Sequence, residues 1–198
     1  MTIGRPREFD RDAALEAAML LFWRKGFAST SMTDLCEAMK VRSPSLYAAF
    51  GSKEALYLEA IEHYVQVQGP PIWDHLAQGA TARDSVKGML NAAAENLPKS
   101  RTVPAGCMAA IAAISDEWPN GIARVARKIR LDMLNNLRSR LETAIANGEL
   151  SATIDADVWS RYYLSVFQGM AVQARDGSTS DELKGVVAAA MAAWPSKA

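Results

Sequence analysis

The sequence predicts an all-α protein: an N-terminal three-helix helix-turn-helix domain followed by a larger C-terminal helical domain. Three observations predict it. Apolar residues recur at three- and four-residue steps along most of the chain. Ser, Thr or Asp stands just before most of these stretches, and Gly or Pro closes most of them. No strand-like alternation, internal repeat or low-complexity tract interrupts the pattern. The expected domains are residues 1–53 and 54–198.

Asp10 caps the first helix, whose stripe is Ala14, Leu15, Ala18, Leu21 and Phe22, and Gly26 ends it. Phe27 plugs the small core between this helix and the helix-turn-helix. Ser31 caps the second helix, with Asp34 three residues on to complete a capping box. Met32, Leu35, Cys36 and Met39 give that helix one buried face. Lys40, Val41 and Arg42 make the turn. Ser43 is expected to cap the third helix, with Pro44 at a position where a missing N–H is harmless. Leu46 and Phe50 point inward there, Ser45 and Tyr47 outward, and Gly51 ends the helix. Ser52 starts a fourth helix through Tyr57, Ile61 and Tyr64, broken at Gly69-Pro70-Pro71.

One or two helical turns come next in IWDHLAQG, and then a helix capped by Thr81 and Asp84 carries Val86, Met89, Leu90, Ala93, Ala94 and Leu97 inward. Residues 98–104 read as a loop and 106–115 as a short, small-residue helix stopped at Trp118-Pro119. The longest helix covers 120–147, with Ile122, Val125, Ile129, Met133, Leu137 and Leu141 inward and arginines outward. Two more, 155–175 and 180–194, complete the chain, the second opened by a Thr179/Glu182 capping box.

The 198 residues are 49% apolar, enough for a sizeable core, yet contain no apolar run long enough for a transmembrane helix. MTIGRPREFD lacks the apolar segment of a signal peptide, so a cytoplasmic location is expected, with no membrane association. Two isolated cysteines, Cys36 and Cys107, exclude a disulfide framework, and no metal site or cofactor is expected. The formal net charge is zero, but Arg5, Arg7, Lys40, Arg42 and Lys53 cluster at the N-terminal arm, the turn and a helix start. Those are places where a helix-turn-helix meets phosphate, and its second helix can lie in a DNA major groove. Arg5 and Arg7 can enter a minor groove or simply be solvated.

The stretch SLYAAFGSKEALYLEAI, preceded by GFASTSMTDL, resembles the DNA-binding domain of the TetR family of bacterial transcriptional regulators. The Leu-Tyr pair, then Phe, then Ser-Lys-Glu carries the resemblance. It implies a double-stranded DNA operator, near-palindromic and bound by a homodimer, and a small-molecule effector that releases a repressor. Tyr47 and Lys53 match the family's phosphate-contacting positions. Many members have Gly where this chain has Lys40, so a slightly different or a strained turn is expected. PAGCMAA, FQGMAVQARDGSTSDELKGV and GRPREFDRDAALEAAMLLFWRKGF are similar to one TetR subgroup that includes a copper-responsive regulator of an outer-membrane protein. Effector identity does not carry over from that likeness.

The candidate DNA-binding residues are therefore Thr30, Ser31, Arg42, Ser43, Ser45, Tyr47 and Lys53. Arg42, Ser43 and Ser45 are placed for base edges, and an arginine can pair bidentately with guanine or bind phosphate. Thr30 and Ser31 are expected at the DNA backbone. An effector cavity is expected among Cys107, Met89, Met108, Met133, Tyr162, Phe167 and Met170, with Trp73 and Trp118 beside them, although each of the methionines and aromatics taken alone reads more readily as core. Cys107 is either a small packed thiol or a sensor of metal or electrophile; at a helix start its pKa is expected to be lowered. Catalysis at Cys107 is an unattractive alternative, because neither His63 nor His75 has a partner that would make it a base. A helical interaction module without DNA affinity is the other rival, and no catalytic residue is assigned.

Overall fold

The computed structural model describes residues 10–98, 100, 102–111 and 119–195. Arg5, Arg7, Trp118 and the end of the expected 106–115 helix lie outside these residues. Among the described residues every regular element is helical. The chain divides into two compact units, Met1–His63 and Tyr64–Ala198.

In the first unit, α1 (Arg11–Lys25) begins at Asp10, whose carboxylate accepts the Ala13 N–H at 3.0 Å. It ends at Gly26, whose N–H donates to the Phe22 carbonyl at 2.7 Å. Helix α2 (Met32–Met39) opens with the expected reciprocal box: the Asp34 N–H donates to Ser31 Oγ at 3.0 Å, and the Ser31 N–H to Asp34 Oδ2 at 2.9 Å. It closes on Lys40 in the left-handed region (φ 56°, ψ 40°). The Lys40 N–H donates to the Glu37 carbonyl at 3.2 Å and the Val41 N–H to the Cys36 carbonyl at 3.0 Å, a Schellman closure.

Helix α3 (Ser43–Phe50) starts one residue earlier than its sequence suggests. Arg42 is the N-cap: its backbone is extended, and its carbonyl accepts from the Ser45 and Leu46 N–H groups at 3.0 and 3.1 Å. Ser43 is therefore the first helical residue rather than the cap, and no side chain caps this helix. Pro44 is tolerated at either register, since its fixed φ suits the whole first turn, so it does not discriminate between them. Helix α4 (Lys53–Gln68) is capped by Ser52 Oγ, which accepts the Ala55 N–H at 3.0 Å, and it contains the division between the two units.

Leu35, Leu46, Phe22, Met19, Leu56 and Tyr57 form the buried centre of this unit. The Tyr57 ring meets Phe22 and Phe27 edge-on, with centroids at 5.0 and 5.3 Å. Such edge-to-face pairs add roughly 0.5–1.5 kcal/mol each beyond simple burial. Arg11 clasps the Glu59 carboxylate with both Nη atoms and covers the Phe50 ring at 4.5 Å. It thereby joins the start of α1, the end of α3 and the middle of α4.

The second unit comprises α5 (Pro70–Trp73), α6 (His75–Gln78), α7 (Ala82–Asn96), α8 (Met108–Ile111), α9 (Asn120–Ala146), α10 (Ala156–Arg175) and α11 (Ser180–Ala192). Pro70 and Pro71 occupy the first turn of α5, where proline begins a helix as readily as it ends one. Helix α10 packs against α9, and α7 and α10 both pack against α11. The Thr179/Glu182 box opens α11 as expected. The helix stops at Ala192, short of Trp194, because Pro195 disfavours helical backbone in the residue before it. Arg140 Nε donates to buried Ser85 Oγ at 3.0 Å, and Glu149 Oε2 accepts the Ala82 N–H at 2.6 Å. These contacts lock α9 and the turn that follows it to the start of α7.

Candidate DNA interface and effector cavity

The outward face of α3 is set by its two buried residues. With Leu46 and Phe50 turned into the core, helical spacing leaves Arg42, Ser43, Ser45, Tyr47 and Ala48 exposed. Tyr47 is 47% exposed despite its size, an arrangement that leaves its hydroxyl available to an outside acceptor. Ser31 is exposed as well, but its hydroxyl is engaged with Asp34 Oδ2 at 2.8 Å.

Thr30 stands apart from these residues. It is 1% exposed, and its hydroxyl donates to the Gly26 carbonyl at 2.6 Å. Its side chain staples the α1–α2 connection instead of facing outward. The sequence pattern of a threonine beside a capping serine does not separate the two roles.

Lys53 occupies the first position of α4, with its ammonium 4.3 Å from the centre of the Phe27 ring. Partial burial moves its pKa down from the ordinary lysine value. Phe27, read from sequence as a core plug, is thus also the partner of a candidate phosphate-binding cation. The two lie too far apart along the chain for any local sequence signal to reveal that pairing.

In the second unit, a cavity of about 250 Å³ opens between α4's last turns, α5, α9 and α10. Trp73, Ile72, Ile129, Met133 and Phe167 supply apolar walls, and Gln68, Asn136 and the Tyr64 and Cys107 side chains supply polar points. The Trp73 and Phe167 rings meet edge-on at 5.1 Å. Of the residues expected here, the structure brings together Trp73, Cys107, Met133 and Phe167. Met89, Met108 and Met170 are buried elsewhere in the core, and Tyr162 is 37% exposed on α10. Tyr64 is not among the expected residues, and the signal that would have found it is its position one turn before the Gly69-Pro70-Pro71 break. A larger, more open depression of about 630 Å³ lies at Thr81, Arg83, Glu149 and Trp194, away from all of these.

Cys107 corrects the expectation of an activated thiol. It is 3% exposed, and burial raises its pKa, against the smaller opposing influence of its hydrogen bonds with Tyr64 and the Ala110 and Ala109 N–H groups. The Ala110 N–H lies 3.4 Å from Sγ. The desolvation of a buried thiolate outweighs whatever a helix start contributes there. Burial likewise holds the Tyr64 hydroxyl well above its ordinary pKa, with Cys107 adding to the effect. Among the described residues no group of three or more His, Cys, Asp or Glu side chains is placed to hold a metal ion. No helix among them is long and apolar enough to cross a membrane.

A short helix pair with an exposed second helix, followed by a helical domain with its own cavity, is the architecture of a helix-turn-helix protein with a separate helical domain. The profile of the bacterial regulatory proteins, tetR family, matches residues 14–60. The transcriptional repressor ComR of Escherichia coli (strain K12) is 32% identical over 97% of this chain and 92% of its own length. The repressor BdcR of the same organism is 28% identical over 91% of this chain and 86% of its own. A cysteine-substituted form of the TetR family regulator CifR, solved with 26 base pairs of double-strand operator DNA, superposes with a TM-score of 0.90. It is 38% identical and covers 97% of this chain and all of its own. The chain belongs to the TetR family and is a DNA-binding transcriptional regulator.

Proposed function

We propose that the protein is a homodimeric, ligand-released repressor of the cytoplasm that binds a near-palindromic operator. The observation that carries this reading is the exposed face of α3, where Arg42, Ser43, Ser45 and Tyr47 stand together over a buried Leu46 and Phe50. That CifR binds operator DNA and that ComR and BdcR are repressors supports it. Residues 1–53 supply DNA contact. Arg42 and the two serines read base edges, while Tyr47 and Lys53 hold phosphate.

Residues 54–198 supply the effector cavity and the dimer face. On α10, Val158, Tyr162 and Val172 are exposed, and a side chain at Gly169 would meet only open space. On α11, Gly185, Ala188, Ala189 and Ala192 are exposed, so two copies of this helix pair could approach closely in a four-helix interface. To a thiophilic inducer the cavity would offer the sulfurs of Cys107 and Met133. A sensor acting through Cys107 is thus a second reading, favoured by the placement of that thiol in the cavity wall.

Selection of bound duplexes from a random pool, with affinity then measured on the selected and a scrambled sequence, tests the DNA reading. Tyr47→Ala should weaken both alike. Arg42→Ala should relax preference at one base pair, by roughly 1–3 kcal/mol for a bidentate contact. Equal loss on both duplexes for Arg42→Ala would move that residue to the phosphates, and the absence of any enriched sequence would defeat the reading altogether.

A further inference from the structure

We infer that Phe27 is a positioning residue for DNA binding, its ring holding the Lys53 ammonium ready for a phosphate. This rests on the reading of Lys53 as a phosphate contact. Lys53 Nζ lies 4.3 Å from the Phe27 ring centre, well within the range of a cation–π attraction. The ring cannot follow the lysine, because it is itself held by Tyr57 edge-on at 5.3 Å and by Phe22 in a stacked contact at 6.3 Å. Both of those residues are almost completely buried. The cation is therefore anchored to the core of the unit through an aromatic chain.

The arrangement suits a phosphate better than it suits stability alone. Among the described residues no carboxylate pairs with Lys53. The ring occupies one side of the ammonium and takes none of its three N–H donors in a conventional hydrogen bond. Partial burial has already stripped some of its water, so less hydration remains to be displaced when a phosphate arrives. A solvated lysine, with four rotatable bonds, would have to be ordered at that moment. At the first position of α4 it adds its charge to the positive end of the helix.

The test uses the full chain and the selected duplex, with affinity measured at stepped salt for Lys53→Met, Phe27→Leu, Phe27→Tyr and the Phe27→Leu/Lys53→Met pair. Thermal melts establish that each variant is folded at the assay temperature. Lys53→Met should reduce the slope of log affinity against log salt by about 0.9, the loss of one phosphate neutralisation. Phe27→Leu should weaken binding about three- to tenfold, Phe27→Tyr should bind as the parent, and Phe27→Leu should add nothing once Lys53 is Met. An equal loss from Phe27→Leu in both backgrounds, or none in either, would leave Phe27 as packing only. Unchanged affinity and slope in Lys53→Met would overturn the phosphate role of Lys53 itself, a separate result.

Discussion

Lys25 Nζ lies 2.9 Å from Asp34 Oδ1, tying the last turn of α1 to the first turn of α2. The same carboxylate accepts the Ser31 N–H at 2.9 Å and the Ser31 hydroxyl at 2.8 Å, so one side chain both caps a helix and bridges two. Lys25 first, and then Ser31, holds the Asp34 pKa well below its ordinary value of 3.8. A carboxylate depressed in the folded state stabilises that state above its unfolded pKa, and the contribution fades as pH falls through the folded one. Asp34→Asn should therefore melt below the parent at neutral pH, and the gap should narrow as acid is added below pH 3.8. A gap that stayed constant down to the acid limit would assign the effect to shape rather than charge.

Lys40 is the one non-glycine residue with positive φ among the described residues. Its left-handed backbone costs an L-residue roughly 1–2 kcal/mol, which glycine escapes at the expense of some unfolded-state entropy. Lys40→Gly should therefore raise unfolding stability by about 1 kcal/mol, while Lys40→Ala, which keeps the Cβ, should not. Denaturant melts of the two variants check this. An equal response would place the cause in the lost charge.

What is legible in the sequence is mostly local. Ser31 with Asp34, and Thr179 with Glu182, lie three residues apart, and their chemistry dictates the helix start without help from the fold. The helix-turn-helix surface is legible for the same reason, since Leu46 and Phe50 fix which way Ser45 and Tyr47 point. Contacts between distant residues are not legible. Arg140 meets Ser85 across 55 positions and Glu149 meets Ala82 across 67, and neither pair has a periodicity to reveal it. Thr30 and Cys107 escape sequence reasoning in the same way: hydroxyl and thiol chemistry is readable, but burial belongs to the tertiary structure.

Burial gives Cys107 a distinctive reactivity profile. Its thiolate is disfavoured, with a pKa above the ordinary 9.0, whereas Cys36 is half-buried on α2. A polar alkylating agent at neutral pH should label Cys36 well before Cys107 in the folded protein, and denaturant should bring the two rates together. Intact-mass and peptide analysis at timed intervals measures both. Faster labelling of Cys107 than of Cys36 in the native protein would show that the cavity opens often enough to expose its wall, and would strengthen the thiol-sensor reading.

Gly106, next to Cys107, has φ 81°, and a Cβ there would stand 2.8 Å from the Ala171 carbonyl oxygen of α10. Its own N–H donates to the Leu97 carbonyl at 2.8 Å. No other residue type fits this junction without backbone displacement. On the proposed reading of the cavity as the effector site, one side of it is thus fixed for a lineage drifting toward a new inducer. On that reading mutational freedom should be concentrated instead in the side chains across from it, Trp73 on α5 and Ile129 and Met133 on α9. Related regulators that answer to different molecules should differ there first, while keeping a glycine beside the thiol position.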